Sequence, residues 1–311
     1  MRVIFMGTPD FAVGTLEAIL AAGHDVQLVV TQPDKPKGRG KAVQMSPVKE
    51  CALKHGIEVY QPLKIREKDG IAYIRKYEPD IIIVAAFGQI LPKEILELPK
   101  YGCVNVHASL LPKYRGAAPI QWAVINGDRV AGVTTMRMDT GLDTGDMIER
   151  SEVILELDET GGSLFDRLAA EGAKLCVHTM QEIENGTAVY TKQDESEATH
   201  VGMIQKQMGN IDWKKPAVAI ERLIRGLNPW PSAYTKLDGK TLKIWRADTE
   251  AGGSGKDAGK VIYVDKKALK VQTGNGILSL LEVQLEGRKR MDIESFLRGV
   301  RIVEGTMLTG F

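Results

Sequence analysis

The sequence has few of the features that mark secreted or membrane-spanning proteins. Its 311 residues contain only three cysteines, Cys51, Cys103 and Cys176, which are odd in number and far apart. Such spacing supports no disulfide framework, so we expect reduced, mostly buried thiols. No apolar run approaches the roughly 20 residues that a membrane helix needs, and residues 1–7 are too short for a secretory signal. We therefore expect a cytoplasmic protein that makes no contact with a membrane.

Several common catalytic and cofactor-binding motifs are also missing. The sequence contains no CxxC or HExxH motif and no cluster of His and Cys, so we expect no metal site. The first predicted strand runs into residues 7–11, GTPDF, which lack the GxGxxG pattern of a dinucleotide site. Gly255 and Lys256 lack the upstream glycine of a P-loop. These absences argue against nucleotide-dependent and zinc-dependent chemistry.

The small net charge of +1 conceals an uneven distribution along the chain. Residues 1–205 contain 22 Lys and Arg against 28 Asp and Glu, whereas residues 206–311 contain 19 against 12. An acidic half joined to a basic half indicates that the second half contacts a polyanion. Uneven surface charge without a functional role is the alternative.

Short apolar runs alternate with amphipathic helical patterns through the first half. Residues 80–86, DIIIVAA, are apolar on every side, as a central strand of a parallel sheet must be. The alternation predicts an α/β fold with a Rossmann-like open, mostly parallel sheet and helices on both faces. We assign residues 1–189 to this domain.

The second half has a different pattern. The apolar periodicity fades at residues 190–205, which we interpret as a linker. One helix is then predicted at 216–226. It is followed by five short strand candidates, at 233–237, 241–245, 260–264, 268–273 and 276–284. Five strands with no helix between them predict a small C-terminal β-barrel, OB-like, within residues 206–311.

A polar pair lies where one predicted strand of the first half ends. Asn105 and His107 are two residues apart, so their side chains share one face of a strand, and Ser109 to Pro112 then break that strand. Open α/β sheets place their ligands at such carboxyl ends. We therefore predict a site here, although a histidine near a strand end is often purely structural.

A carboxylate can join this pair from a later loop. Asp143 belongs to a Gly-Leu-Asp-Thr-Gly segment at 141–145, whose two glycines allow a tight turn back over the sheet edge. An amide, an imidazole and a carboxylate can manage the charge and the protons of a carbonyl under attack by an amine. A turn-stabilising contact of Asp143 with its own backbone is the alternative.

Together these motifs resemble the folate-dependent formyltransferases. The resemblance rests on N-x-H-x-S-L-L-P-x-x-x-G at 105–116 and on the aspartate of the GLDTG loop. It extends nearly end to end, through GTPDF at 7–11, TQPDKPKGRGK at 31–41, GAAPIQWA at 116–123, MDTGLDTGDM at 138–147, IDW at 211–213 and GLNPWP at 226–231. Within the family it is most similar to the members that formylate methionine attached to an initiator tRNA.

The resemblance implies an activity and a set of site residues. A formyl group would pass from 10-formyltetrahydrofolate to the α-amine of methionine on initiator tRNA, with Asn105, His107 and Asp143 as catalytic residues. The folate co-substrate would lie against Ser109, Leu110, Leu111 and Pro112, and against Phe87, Gly88, Gln89, Ile90 and Leu91. We expect direct transfer, because no cysteine or serine is placed as an acylated nucleophile.

The resemblance also implies how a tRNA would be bound. The basic loop within 33–41 would reach the acceptor end, with Lys37, Arg39 and Lys41 as contacts. The barrel would hold the backbone through residues that include Arg288, Lys289 and Arg290. Trp213, Trp230 and Trp245 also lie in this half, and core packing explains them better than base stacking does. We expect the chain to act as a monomer.

Three other functions are compatible with parts of the sequence. The first half alone would also suit a formyltransferase that acts on a small amine, such as a ribotide or an amino sugar. The chain could instead be a non-catalytic RNA-binding protein on an enzyme scaffold. A hydrolase could use the same three residues with water as the nucleophile, releasing formate from the folate.

Overall fold

A computed structural model describes residues 1–37, 42–253 and 256–310. The strands are β1 (Arg2–Gly7), β2 (Asp25–Val30), β3 (Lys35–Lys37), β4 (Ala42–Gln44), β5 (Val59–Tyr60), β6 (Ile81–Ala85), β7 (Cys103–His107), β8 (Arg115–Gly116), β9 (Val130–Arg137), β10 (Met147–Ile154), β11 (His200–Val201), β12 (Ala233–Leu237), β13 (Lys240–Glu250), β14 (Val261–Val264), β15 (Leu269–Gln272), β16 (Ile277–Leu285) and β17 (Met291–Asp292). The helices are α1 (Asp10–Ala21), α2 (Pro47–Lys54), α3 (Lys68–Arg75), α4 (Lys93–Leu96), α5 (Pro119–Asn126), α6 (Gly161–Asn185), α7 (Ala217–Gly226) and α8 (Ile293–Gly299).

Seven strands form one sheet in the order β10-β9-β7-β6-β1-β2-β5. The strands from β7 to β5 are parallel, and α1 to α4 connect them in chain order. β9 runs antiparallel to β7, and β10 antiparallel to β9. The prediction of an open, mostly parallel, Rossmann-like sheet is confirmed. Because the strand order reverses between β1 and β6, the carboxyl ends of these neighbouring strands border the crevice where such sheets bind ligands.

The centre of this sheet is buried on both faces. All five residues of β6 and all five of β7 are buried, as the continuous apolar run at 80–86 predicted for β6. Ile4, Met6, Leu28 and Ile82 contribute to one core cluster between the sheet and its helices. Burial of such a side chain contributes about 1.5–3 kcal/mol. The strand ends that carry the polar pair therefore stand on a rigid base.

The last third of the chain forms an antiparallel sheet that closes on itself. Its strand order is β12-β13-β16-β15-β14, and β17 pairs with β16 outside this path. The two edges are joined by the C-terminal segment, because Thr309 pairs with Lys236 of β12 and Met307 pairs with Lys260 beside β14. Alternate residues of the strands, such as Leu242 and Ile244, point into one apolar core. The predicted small barrel is confirmed, and closure leaves no long open edge.

The chain divides into two compact units, each built from three separate segments of the sequence. The first unit is Met1–Pro119, Val130–Ile154 and Phe165–Val201, and the second is Ile120–Arg129, Leu155–Leu164 and Gly202–Phe311. Two segments from the first half thus belong to the unit of the barrel. In that unit, Arg225 donates to the backbone oxygen of Glu159 at 2.8 Å. Contacts of this kind join segments far apart in sequence and cannot be read from composition.

The polar stretch expected to be a linker has structure of its own. Residues 190–201 belong to the first unit, where Thr191 pairs with Met147 and β11 pairs in parallel with β8. Asp194 caps a short 3₁₀ helix, Glu195–Glu197, by accepting from the Ser196 amide. Backbone and side-chain hydrogen bonds hold this segment in place although it is low in apolar residues.

Candidate active site

Strand β7 carries Asn105 and His107 to the carboxyl edge of the sheet. Val84 of β6 is the parallel neighbour of Asn105, and Thr134 of β9 lies opposite His107. The two polar residues are 9% and 7% exposed, so the strand buries both while leaving each a small accessible surface. Buried polar side chains are costly unless they have partners or a ligand to bind.

The imidazole of His107 is held by a backbone oxygen of the loop that follows β7. Its Nε2 lies 3.0 Å from the backbone oxygen of Tyr114. A carbonyl oxygen can only accept, so Nε2 must carry the proton and donate it. Nδ1 is then the ring atom free to gain or lose a proton. The loop is held in turn by Ser109, whose amide donates to the His107 oxygen at 2.9 Å and whose hydroxyl donates to the Lys113 oxygen at 2.6 Å.

Asp143 reaches this imidazole from the loop between β9 and β10. Its Oδ2 lies 3.7 Å from Nδ1 of His107 and accepts a hydrogen bond of 2.8 Å from the Gly116 amide. The structure therefore brings together a histidine and a carboxylate that are 36 positions apart in the sequence. At 3.7 Å the pair is an ion pair when His107 is protonated, and it is too long for a direct hydrogen bond.

The loop of Asp143 needs its glycines. Asp143 has a φ of +55°, in the left-handed region. A Cβ on Gly145 would lie 1.8 Å from the backbone oxygen of Arg137, so only glycine allows this approach. Asp139 closes the other side by accepting from the Gly141 amide at 2.9 Å and from the Thr144 hydroxyl at 2.6 Å. The turn-stabilising role that was the alternative for Asp143 is thus filled by Asp139.

Among the described residues no hydrogen bond involves the side-chain amide of Asn105, which keeps a small accessible surface. A buried amide offers two N–H donors and one acceptor, and such groups are normally satisfied. The N–H donors of Asn105 are therefore available to a group outside the protein. This observation fits an oxygen that gains negative charge beside His107.

The predicted folate residues lie on the chain that leaves β6 and on the turn after β7. Phe87 and Leu91 are packed in the core of the first unit, and the Phe87 oxygen accepts from Thr8 and Gln32, each at 3.2 Å. Gln89 is bound to residues 62–65, through the Pro62 oxygen and the Ile65 amide. Gly88, with a φ of +80°, and Ile90, 73% exposed, present the accessible surface of this segment.

The turn after β7, residues 109–112, is more deeply buried than the other predicted folate segment, residues 87–91. Ser109 and Leu111 are 3% and 0% exposed, Pro112 is buried, and Leu110 is half-buried. The Leu111 amide donates to the Thr134 hydroxyl at 3.1 Å, which donates to the Ser109 oxygen at 2.7 Å. Residues 109–112 thus form a well-packed turn after His107. Leu110 has the most accessible side chain among them.

The residues predicted to bind tRNA fall into two groups. Arg39 and Lys41 lie outside the described residues, and the side chain of Lys37, at the end of β3, does as well. In the second unit, Arg290 is paired with Glu282 at 2.6 Å and covers the ring of Trp245 at 4.7 Å. Arg288 donates to the Gly299 oxygen at 3.2 Å, and Lys289 is exposed.

Of Trp213, Trp230 and Trp245, for which we predicted core packing, only Trp213 lies in the core. Trp213 is 4% exposed and donates to the Thr235 hydroxyl at 3.0 Å, so it belongs to the barrel core. Trp245 is half-buried beneath Arg290, with Lys243 at 5.5 Å from its ring. Trp230 is 53% exposed.

The reasoning from sequence did not single out three residues of a hydrogen-bond network beside the Asp143 loop, Arg115, Gln193 and Glu195. Arg115 is 1% exposed and forms a bidentate pair with Glu195, at 2.9 and 2.7 Å, and its Nε donates to Gln193 at 3.0 Å. The hydrogen bond from Arg115 holds the pKa of Glu195 below its usual range. No periodicity or motif signals contacts between residues 78 and 80 positions apart.

Two structural features bear on the predicted absences. Glu17, Cys51 and His55, on α1 and at α2, have possible ligand atoms within 4.8 Å of one another, and this group shares no residue with the site at β7. Sequence spacing could not reveal it, because Glu17 lies on a different helix. In the part of the chain that the structure describes, no helix combines the length and the apolarity of a bilayer-spanning segment.

Comparisons with known proteins agree with this geometry. Residues 1–180 match the formyl transferase family, and residues 203–301 match its C-terminal domain. The chain therefore belongs to the formyl transferase family. It is 69% identical, over 99% of its length and 100% of the relative's, to a methionyl-tRNA formyltransferase of Agathobacter rectalis. It is 50% identical to the one of Alkaliphilus metalliredigens, over 99% and 98% of the two chains.

Solved structures show the same fold at low identity. The sugar 3N-formyl transferase WlaRD, crystallised with dTDP and 5-N-formyl-THF, superposes with a TM-score of 0.66 at 19% identity, over 93% of this chain and 99% of that one. An N-formyltransferase of Helicobacter canadensis, in complex with folinic acid and dTDP-3-aminofucose, gives 0.64 at 21% identity, over 90% and 99%. These likenesses extend over both units of the chain.

Proposed function

We propose that this protein transfers the formyl group of 10-formyltetrahydrofolate to the α-amino group of methionine on initiator tRNA, which yields formylmethionyl-tRNA for translation initiation. The observation that carries the proposal is the 69% identity to a methionyl-tRNA formyltransferase over 99% of the chain, barrel included. The arrangement of Asn105, His107 and Asp143 at the carboxyl edge of the sheet supports the chemistry.

The amine must attack as a free base. An α-amino group has a pKa of about 7.7, so a substantial fraction is unprotonated near neutral pH without a strong general base. The protein's task is therefore to place the amine against the formyl carbon and to stabilise the charge that follows. The folate supplies that carbon, bound to a nitrogen that departs.

Asn105 stabilises the developing negative charge. The amide nitrogen forms no hydrogen bond with another described residue, so it can donate to the formyl oxygen without first breaking a bond. A preformed donor of this kind contributes about 10²–10³ in rate.

His107 manages the proton at a single ring atom. Because Nε2 is held by the Tyr114 oxygen, the mobile proton is the one on Nδ1, the atom that faces Asp143. With Nδ1 protonated, His107 is a cation that also stabilises the oxyanion, and it can pass this proton to the departing folate nitrogen. Asp143 keeps the imidazolium in place, and one water between the two groups could carry the proton from the amine.

The binding roles follow the two units. Residues 1–189 would hold the folate along 87–91 and 109–112, with residues 190–205 leading to the barrel. Residues 206–311, which carry 19 basic against 12 acidic residues, would attract the tRNA backbone. Among the predicted contacts Lys289 has an exposed side chain, whereas the charge of Arg290 is offset by Glu282. Lys37, Arg39 and Lys41 remain the proposed contacts to the acceptor end.

The proposal includes a monomeric protein that acts in the cytoplasm. Its three cysteines are all free and buried, which suits a reducing compartment. Burial raises the pKa of Cys103 and of Cys176 to about 12, so these thiols are not nucleophiles at neutral pH. Direct transfer, without an acyl-enzyme, is consistent with this.

The test is a transfer assay with competing acceptors. The purified protein is supplied with 10-formyltetrahydrofolate labelled in the formyl group, together with charged initiator tRNA, free methionine or a nucleotide-linked amino sugar. We expect label on methionyl-tRNA, with the two small amines unlabelled and formate at background. Transfer to a small amine in preference to the tRNA would contradict the proposal. Formate as the main product would indicate a hydrolase, and tRNA binding without transfer would indicate a non-catalytic protein.

A further inference from the structure

The side-chain amide of Gln193 binds the backbone of the loop that carries Asp143. The side-chain nitrogen of Gln193 donates to the backbone oxygens of Asp143 and of Gly145, both at 2.8 Å. These two carbonyls belong to the 143–144 and the 145–146 peptides, so one NH₂ group fixes the planes of both. The hydrogen bonds span 50 and 48 positions of sequence.

The orientation of this amide is determined by Arg115. The guanidinium Nε donates to the Gln193 side-chain oxygen at 3.0 Å. Since a guanidinium has no acceptor, the oxygen of Gln193 must face it and the NH₂ must face the loop. Arg115 is 1% exposed, and its bidentate pair with Glu195 offsets the buried charge.

The same short segment also fixes the other contact of Asp143. Residues 199–201 run beside residues 114–117: the backbone amide of Arg115 donates to the Thr199 oxygen at 2.8 Å, and the amide of Ala117 donates to the Val201 oxygen at 3.1 Å. Between them lies Gly116, whose amide donates to the Asp143 carboxylate at 2.8 Å. Residues 193–201 thus hold both the backbone and the carboxylate of Asp143.

We propose that Gln193, oriented by Arg115 and Glu195, is a positioning residue that sets the distance and direction of the Asp143 carboxylate relative to His107. This inference rests on the proposed function, because it assigns Gln193 a role in the same reaction. A misplacement of a catalytic group by about 1 Å can cost about 100-fold in rate. The role is geometric, and Gln193 itself touches no substrate.

The test is a double-mutant cycle between Gln193 and Asp143. Gln193→Ala removes the NH₂ group, and the isosteric Gln193→Glu replaces it with one oxygen that faces the two carbonyls. We expect each to lower kcat by about 10- to 100-fold, with KM for folate and for tRNA within about threefold. In an Asp143→Asn background, Gln193→Ala should cause less than about a threefold further loss, because the residue acts through that carboxylate. Lys192→Ala, an exposed neighbour, is the matched control and should retain full activity.

The outcomes separate this inference from the proposed function. Equal fold-losses of Gln193→Ala in the wild-type and Asp143→Asn backgrounds would overturn it, since additivity means that Gln193 does not act through Asp143. Unchanged kcat in both Gln193 variants, or loss of the fold in both, would also overturn it. If Asp143→Asn itself kept wild-type turnover, the proposed chemistry would fail, whatever the Gln193 variants did.

Discussion

Oδ2 of Asp143 lies 3.7 Å from Nδ1 of His107. The same oxygen accepts from the Gly116 amide, and the other ring nitrogen of His107 is bound to the Tyr114 oxygen at 3.0 Å. Each partner is thus anchored to backbone, His107 through its other ring nitrogen and Asp143 through the same oxygen that faces Nδ1. A pair held apart in this way can accommodate a proton on Nδ1 without rearrangement.

Removal of the free amide should affect rate and leave stability unchanged. We expect Asn105→Ala to lower kcat by about 10²–10³, because one donor to the oxyanion is lost. The melting temperature should stay within about 2 °C, since within the described part of the chain no hydrogen bond is broken. Steady-state kinetics and calorimetry check both. A variant that is unstable but retains wild-type kcat would show that Asn105 is a structural residue.

Displacement of the carboxylate loop should reduce both stability and rate. The Cβ of Gly145→Ala would lie 1.8 Å from the Arg137 oxygen, so the loop must move. We expect a loss of about 1–3 kcal/mol in the free energy of unfolding and a fall in kcat of about 10²-fold. Gly186→Ala is the control, since its φ is +73° but a Cβ there meets nothing within 4 Å. That change should cost about 1–2 kcal/mol and leave kcat unaltered, whereas an equal loss of kcat would refute the specific role of the loop.

A charge change on the barrel should affect tRNA and not folate. We expect Lys289→Ala to raise KM for charged tRNA and to reduce the salt dependence of binding by about one unit of slope, as for loss of one phosphate contact. Folate affinity should be unchanged. Filter binding over a range of salt concentrations measures the slope. An unaltered slope would remove Lys289 from the tRNA surface. Truncation at residue 206 is a poorer test, because Ile120–Arg129 and Leu155–Leu164 belong to the same compact unit.

Acid should weaken the contacts of Arg115. The pKa of Glu195 is lowered in the folded protein by its hydrogen bond from Arg115, so the pair stabilises the fold at pH values above the unfolded pKa of about 4.3. That stabilisation is lost as the pH falls through the folded pKa. We expect the melting temperature to drop below about pH 4, and Glu195→Gln to lower it at neutral pH and flatten the acid side. A Glu195→Gln curve parallel to the wild-type curve would exclude this linkage.

The sequence predicted the elements of the site better than their supports. The two-residue period of a strand placed Asn105 and His107 on β7, and the glycines around Asp143 predicted a returning loop. Both are local features. Arg115, Gln193 and Glu195 meet across about 80 positions, and the polar composition around Gln193 is typical of a linker as well as of a hydrogen-bonded segment.

The sheet was predicted more completely than the unit boundary. Apolar strands that alternate with helices predict the parallel core, because a helix that crosses over between two neighbouring strands makes those strands parallel. The antiparallel direction of β9 and the closure of the barrel by Met307 and Thr309 depend on pairings between distant segments. Single-sequence patterns contain no signal for such pairings.

The central claim is that Asp143 and His107 act as a pair in formyl transfer, and single-turnover kinetics of Asp143→Asn test it most directly. The asparagine can still accept from the Gly116 amide, so the loop should keep its place. With enzyme in excess over charged initiator tRNA and labelled 10-formyltetrahydrofolate saturating, we predict full folate affinity and a transfer rate lowered by about 10²-fold or more. A wild-type transfer rate in this variant would contradict the account.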